Sequence, residues 1–313
     1  MAGRSLLDAE GALAHFVRDR EWLRSLLAGP RMVRRAWLRH HPQSQESDVW
    51  ALPPTTAADV LKHVSELVVS DLRVRVRDFE GEFVLGPQSH LLTRILLTGV
   101  YESKFAQLLL SHIDPDRDVI DVGANVGFYT VLAAKHLNKG RVLAAEPTTA
   151  AYARLEENIR FNGVAERVIP FKGLIGATES VGTVNIVPGR EEYSSVGDLV
   201  HPSIVGETVV RESVPAQSID ALVKQHSLKP AFIKVDVEGG EEAVFDGAEK
   251  TLTTFRPIIM SEFAEILMKQ NGSTPAGLLA KFDRWGYDVH DALGRNIKPD
   301  GVRSSEILAI PRP

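Results

Sequence analysis

From about residue 118 onward, short apolar runs bounded by turn residues alternate with stretches whose apolar positions recur every three or four residues. The first pattern predicts buried strands, the second amphipathic helices. The resulting order is strand 119–122, helix 127–137, strand 141–145, helix 149–162 and strand 167–171, then an irregular insertion over about 176–217. Strand 231–237, helix 241–254, strand 257–262, helix 275–285 and two final strands near 287–290 and 305–310 complete it. Such alternation implies right-handed crossovers and a doubly wound, mostly parallel α/β sheet. The insertion is longer than a simple connection needs. It carries strand-like pieces at 183–187 and 207–214 around Ser194, Ser195 and His201. A loop of that kind is either a surface hairpin or the wall of a substrate pocket, and these three polar residues are the substrate-binding candidates.

The N-terminal third reads differently. Residues 1–41 place Leu6, Leu7, Leu13, Phe16, Val17, Leu23, Leu26 and Leu27 at helical spacing, beside Arg31, Arg34, Arg35 and Arg39. That is an amphipathic, basic helical stretch, most simply a solvated face beside a packing stripe and otherwise a surface for an anionic substrate or a membrane, and the extension is also the candidate contact for homo-oligomerisation. Pro42, Pro53 and Pro54 mark 42–58 as a linker. A short helix over 61–69 follows, then a hairpin pairing 72–77 with 83–85 across Glu80-Gly81. The expected division is therefore an extension over 1–98 and a catalytic domain over 99–313.

Length and composition narrow the class. The 313 residues, 44% hydrophobic and 25% charged, suffice for one large core with an appendage. Zero cysteines rule out disulfides, zinc thiolate sites and cysteine nucleophiles, and fit a cytoplasmic, reducing setting. No apolar run is long enough to span a bilayer. A net charge of −5 argues against a general nucleic-acid binder, because phosphate neutralisation favours a basic surface. A small or uncharged acceptor fits better.

The most specific local signal is Asp121-Val122-Gly123-Ala124-Asn125-Val126-Gly127, where a buried strand breaks into a glycine-bearing turn and then a helix. Gly123 and Gly127 let backbone approach a ligand, and Asn125 tolerates a positive φ. The spacing departs from the G-x-G-x-x-G of dinucleotide sites and opens with Asp121, which favours S-adenosylmethionine over NAD. Glu146 closes the second strand, where a carboxylate can accept hydrogen bonds from both ribose hydroxyls.

Further on, Lys234, Asp236 and Glu238 alternate with Ile233, Val235 and Val237. A central parallel strand is normally apolar on both faces, so these charges either pair with one another or open onto a cleft at the strand's C-terminal end. Asp236 is a cofactor-binding candidate and the first candidate general base for an acceptor hydroxyl, with Glu238 and Glu262 in support. Alternatively, the three carboxylates hold Mg²⁺ and lower the pKa of substrate hydroxyls. The histidines show no metal-ligand spacing.

Ser218-Ile219-Asp220, the segment 231–241 with its Lys-Val-Asp-Val-Glu-Gly core, and Arg256-Pro257-Ile258-Ile259-Met260-Ser261-Glu262 add ordered motifs to the turn and the Glu146-Pro147 pair. With Gly99-Val100-Tyr101-Glu102 upstream, the chain resembles the FkbM family of S-adenosylmethionine-dependent methyltransferases. The resemblance implies a seven-stranded class I methyltransferase sheet of Rossmann-like form. It also implies O-methylation of a sugar, glycolipid precursor or polyketide-type metabolite, with N-methylation or a non-catalytic cofactor-binding scaffold as alternatives. By the same likeness Tyr101 and Glu102 close over the methionine end of the cofactor, and Gly173 and Leu174 edge its adenine.

Overall fold

Seven strands of the alternating region form one sheet in the order β12, β13, β11, β10, β4, β5, β6. They are β4 (Asp118–Val122), β5 (Val142–Glu146), β6 (Val168–Lys172), β10 (Pro230–Val235), β11 (Ile258–Ala264), β12 (Tyr287–Asp291) and β13 (Ser304–Pro311). The computed structural model describes residues 7–8, 70–197, 206–291, 294–295, 297 and 304–313. Strands β11, β10, β4, β5 and β6 run parallel, while β13 lies antiparallel between β11 and β12. Every residue of β4, β5 and β10 is buried, as a doubly covered parallel sheet requires.

The chain divides into two units, Met1–Tyr101 and Glu102–Pro313. In the first, β2 (Leu72–Val76) and β3 (Gly81–Leu85) form the expected antiparallel hairpin. Val74 and Val76 are buried and Arg75 points to solvent, matching the period-two pattern. Helix α1 (His90–Thr98) follows, capped by Ser89 and ended by Gly99 at φ 72°. Leu7–Asp8, expected to be helical, is instead a short strand, β1, laid parallel on β2, whose free edge offers backbone partners. The rest of the Arg-rich stretch, the linker, the 61–69 helix and any self-association through them lie outside the described residues.

In the second unit α2 (Ser103–His112) precedes β4, and α3 (Phe128–His136) and α4 (Thr149–Phe161) follow β4 and β5 as expected. The insertion is a separate small sheet of β7 (Leu174–Ile175), β8 (Ser180–Ile186) and β9 (Val210–Gln217), with β8 and β9 antiparallel. Strand β9 continues into α5 (Ile219–His226), which the strand-and-helix reading lacks.

The expected helix 241–254 is two helices, α6 (Glu241–Asp246) and α7 (Glu249–Phe255), broken at Gly247. A Cβ at Gly247 would sit 2.1 Å from the Gly176 carbonyl oxygen, so the break lets a neighbouring segment pass. Asp220 accepts hydrogen bonds from the Lys250 and Thr251 amides and the Thr251 hydroxyl, capping α7 from outside, while Ser218 caps α5. The Ser218-Ile219-Asp220 motif therefore starts two helices at once. After β11, α8 (Glu265–Gln270) and α9 (Pro275–Arg284) lead to β12, α9 opening with Thr274 as cap and Pro275 in its first turn. Among the described residues no helix is long and apolar enough to cross a membrane.

Candidate active site

The turn between β4 and α3 is built by its own backbone. Gly123, Asn125 and Gly127 take positive φ values of 74°, 49° and 91°. The Gly123 and Ala124 amides donate to the Ala145 carbonyl, and the Asn125 amide donates to Glu146 Oε2 at 3.0 Å. Glu146 Oε1 accepts from the Thr148 amide and hydroxyl at 2.9 and 2.7 Å. Glu146 is thus a buried clamp for two loops, with three of roughly four acceptor positions filled. Burial pushes its carboxyl up to about 7, against the pull of the Thr148 and Asn125 donors and the Lys234 charge.

The glycines answer a packing demand within the protein. A Cβ at Gly123 would lie 1.8 Å from the Asp236 carbonyl oxygen, and one at Gly127 would lie 2.6 Å from Leu155 Cδ1. Asp121 is buried beneath the turn and accepts from the Thr130 hydroxyl at 2.6 Å.

At the neighbouring strand end one expectation is corrected. Strand β10 stops at Val235, so Asp236 and Glu238 do not share a strand face with Lys234. Glu238 at φ 52° and Gly239 at φ 97° turn the chain out of the sheet there. Lys234 is 7% exposed, and its Nζ lies 3.2 Å from Asp236, 3.6 Å from Asp121 and 3.1 Å from the Gly123 carbonyl oxygen. It also sits 5.0 Å from the centre of the Tyr129 ring. Burial opposes the ammonium, but Asp236, Asp121 and Glu102 together outweigh it and raise its pKa, so Lys234 stays protonated and is no base.

Beside this network lies a small open cleft with a volume of about 40 Å³. Its inner wall is Lys234, Val235, Met260, Ser261 and Tyr129, all buried, and the half-buried Phe105 and Glu102, the latter accepting from the Tyr129 hydroxyl at 2.8 Å. Its outer part is Asp236, Glu262 and Glu306. Glu262 is exposed at the rim, yet partial burial and then the Asp236, Glu306 and Glu102 charges push its carboxyl up to about 7; water at the rim screens part of that repulsion. Burial also pushes half-buried Glu238 up to about 8, with Asp236, Glu262 and Glu241 adding to it.

Of the candidate catalytic carboxylates, Asp236 and Glu262 line the cleft together, and Glu238 is not among its lining residues. Among the described residues no three Asp, Glu or His side chains converge as a metal site, so Asp236, Glu238 and Glu262 are not a ready-made Mg²⁺ ligand set. Glu102 lines the cleft; Tyr101 falls in the first unit, its ring 6.2 Å from that of Phe79 and 5.1 Å from the Arg94 guanidinium. The Gly173 amide donates to the Glu146 carbonyl, and Leu174 packs on the core of the insertion sheet. Ser195 is buried, its hydroxyl donating to the Glu238 carbonyl oxygen at 3.2 Å, which ties the insertion to the turn after β10. Ser194 is half-buried beside it, and His201 lies outside the described residues.

Sequence reasoning left Phe105, Tyr129, Ser261 and Glu306 out of the site. Ser261 carried a signal, a lone hydroxyl in the otherwise apolar run 258–261. Glu306 had little, because only the antiparallel register sets it opposite Glu262.

Among curated proteins the chain is 28% identical over 172 residues to the hexuronic acid methyltransferase AglP of Haloferax volcanii, covering 53% of this chain and 64% of that one. It is 30% identical over 108 residues to the AMB antimetabolite synthetase AmbE of Pseudomonas aeruginosa, covering 33% of this chain and 5% of that one. The chain thus spans less than two thirds of the length of these relatives. Among solved structures it is similar to a methyltransferase FkbM from Methylobacillus flagellatus, at 16% identity and a TM-score of 0.42, covering 63% of this chain and 44% of that one. The family model of the methyltransferase FkbM domain matches residues 121–289, from the Asp121 that opens the glycine turn to the middle of β12. That stretch is more than half of the chain and contains the turn, the Glu146 clamp and the Lys234 network, and the chain belongs to the FkbM methyltransferase family.

Proposed function

We propose that the chain is an S-adenosylmethionine-dependent O-methyltransferase that acts on a hydroxyl of a saccharide or a related hydroxylated metabolite. The observation that carries this reading is the adjacency of two differently built strand ends. At β4 and β5 a positive-φ turn, a helix N-terminus and a buried carboxylate meet, a donor set that suits an adenosine-type ligand. Next to it, at β10 and β11, a cleft presents Asp236, Ser261 and Glu262. Asn125, Gly127 and Glu146 would hold the cofactor, which supplies an electrophilic methyl group and departs as a neutral thioether. Methyl transfer of this kind needs alignment more than acid catalysis. Asp236, held by Lys234 at 3.2 Å and 42% exposed, orients the acceptor hydroxyl and takes its proton. The methylated acceptor of AglP is a hexuronic acid by name, which supports a saccharide class.

Calorimetry of the purified chain against S-adenosylhomocysteine and NAD, each with and without Mg²⁺, tests the reading. Micromolar binding of S-adenosylhomocysteine alone, unchanged by Mg²⁺ or a chelator, is the expected result. Preference for NAD would overturn it, and a strict Mg²⁺ requirement would move Asp236 and Glu262 from proton transfer to metal binding.

A further inference from the structure

Glu146 has less to offer a ribose than its place at the end of β5 suggests. A carboxylate accepts about four hydrogen bonds, about two at each oxygen. At Oε1 both positions are taken, by the Thr148 amide at 2.9 Å and the Thr148 hydroxyl at 2.7 Å. At Oε2 one is taken, by the Asn125 amide at 3.0 Å. These donors are held in place. The Asn125 amide belongs to a turn set by its own positive φ, and Thr148 immediately precedes α4. A threonine there ordinarily caps the helix with its hydroxyl, yet Thr148 makes no such cap. Glu212 of β9 serves the helix start instead, accepting from the Thr149 amide at 3.0 Å and the Thr149 hydroxyl at 2.7 Å. The Thr148 hydroxyl is thus left to Glu146. Its side chain is fully buried, so turning the hydroxyl away would strand a donor without a partner.

We infer that Glu146 reads only one of the two ribose hydroxyls of the cofactor, through Oε2, and that the Thr148 hydroxyl is what keeps the other out. The inference rests on the methyltransferase reading above and departs from the two-hydroxyl contact that a strand-end carboxylate can make when its oxygens are free. Thr148 is then a specificity-determining residue. It leaves the second ribose hydroxyl to water, so the site tolerates a cofactor that lacks that hydroxyl and rejects one that lacks the other.

The test is calorimetric binding of S-adenosylhomocysteine and its 2′-deoxy and 3′-deoxy analogues to the full chain. It is run at about pH 8.5, above the value of about 7 for the Glu146 carboxyl, so that the group is ionised. One analogue should bind about tenfold or more weakly than the parent, as loss of a hydrogen bond to a charged group demands, and the other within about threefold. Thr148→Val keeps the side-chain shape and removes the hydroxyl. It should tighten S-adenosylhomocysteine several-fold and leave the tolerated analogue without that gain, whereas Thr148→Ser should reproduce the wild-type pattern. Equal losses for the two analogues, no loss for either, or a Thr148→Val pattern identical to wild type would each overturn the inference. Should Thr148→Val fail to fold, the wild-type series decides alone. The two readings fail separately: S-adenosylhomocysteine binding with equal losses refutes only the one-hydroxyl contact. No binding of S-adenosylhomocysteine refutes the methyltransferase and this inference with it.

Discussion

Gly123→Ala is the most incisive single change, because it adds one methyl group where two strand ends nearly touch. The new Cβ would begin 1.8 Å from the Asp236 carbonyl oxygen, and carbon atoms of this kind hardly ever come within 3.0 Å, so the two backbones must separate by at least about 1.2 Å. The residue would also have to hold φ 74°, which costs an alanine about 1–2 kcal/mol. Overpacking of this order adds about 1–3 kcal/mol. A loss near 3 kcal/mol follows, which for a domain of this size lowers Tm by about 6–12 °C. The displaced group is the backbone of Asp236, whose amide donates to the Val122 carbonyl and whose side chain meets Lys234. A misplacement of about 1 Å at a reacting group costs on the order of 100-fold in rate. Thermal melts, S-adenosylhomocysteine calorimetry and acceptor turnover measured side by side should therefore show lower stability and nearly lost turnover. A variant with wild-type Tm and full turnover would refute the claim that close strand packing sets the position of Asp236.

The other expectations follow from the same geometry. Asp236→Asn should abolish turnover and leave S-adenosylhomocysteine affinity within threefold; undiminished turnover removes its role as base. Glu146→Ala should weaken S-adenosylhomocysteine by about 1–3 kcal/mol, because the buried Asn125 and Thr148 donors that shape the turn lose their acceptor, and unchanged affinity takes Glu146 out of the cofactor site. The Glu146 carboxyl rises from 4.5 to about 7 on folding, so the folded state holds the extra proton between those values and stability falls as pH rises through them. At about 1.4 kcal/mol per pH unit this amounts to about 3 kcal/mol. Melts from pH 5 to 8 should show that decline, with Glu238, Glu241 and Glu262 acting in the same direction, and a slope undiminished in Glu146→Gln contradicts it. Lys234→Met should cost about 3–5 kcal/mol in denaturant titrations, because buried Asp121 loses its cationic neighbour; an unshifted midpoint would mean the network contributes little.

The sheet was legible because parallel strands buried on both faces must be apolar throughout, and 119–122, 141–145 and 231–235 are apolar except where a charge has a partner. Asn125 was legible for a related reason, since its turn needs a positive φ and few residues other than glycine supply one. What escaped depends on contacts distant in sequence. Nothing near Gly247 announces a helix break, because the cause is the Gly176 carbonyl. Nothing near Ser195 says that its hydroxyl will meet the Glu238 carbonyl rather than a substrate. The over-long reading of β10 arose from counting Asp236 and Glu238 into an alternation that Glu238 and Gly239 end with positive φ values.

Lys234 shows why fold and chemistry are hard to separate in this chain. Its ammonium reaches Asp121 in β4, the Gly123 carbonyl in the turn and Asp236 at the cleft, and Thr130 of α3 bonds the same Asp121. The turn and Asp236 are thus joined both through this one side chain and through the close backbone approach of Gly123 to Asp236. A neutral residue at 234 would remove the one cation among the described residues that line the cleft. The cost of burying the ammonium is offset by two carboxylates on either side of it. One of those carboxylates lies beneath the proposed cofactor turn and the other beside the proposed acceptor, so the same ion pairs that stabilise the strand ends also hold the two halves of the site in register.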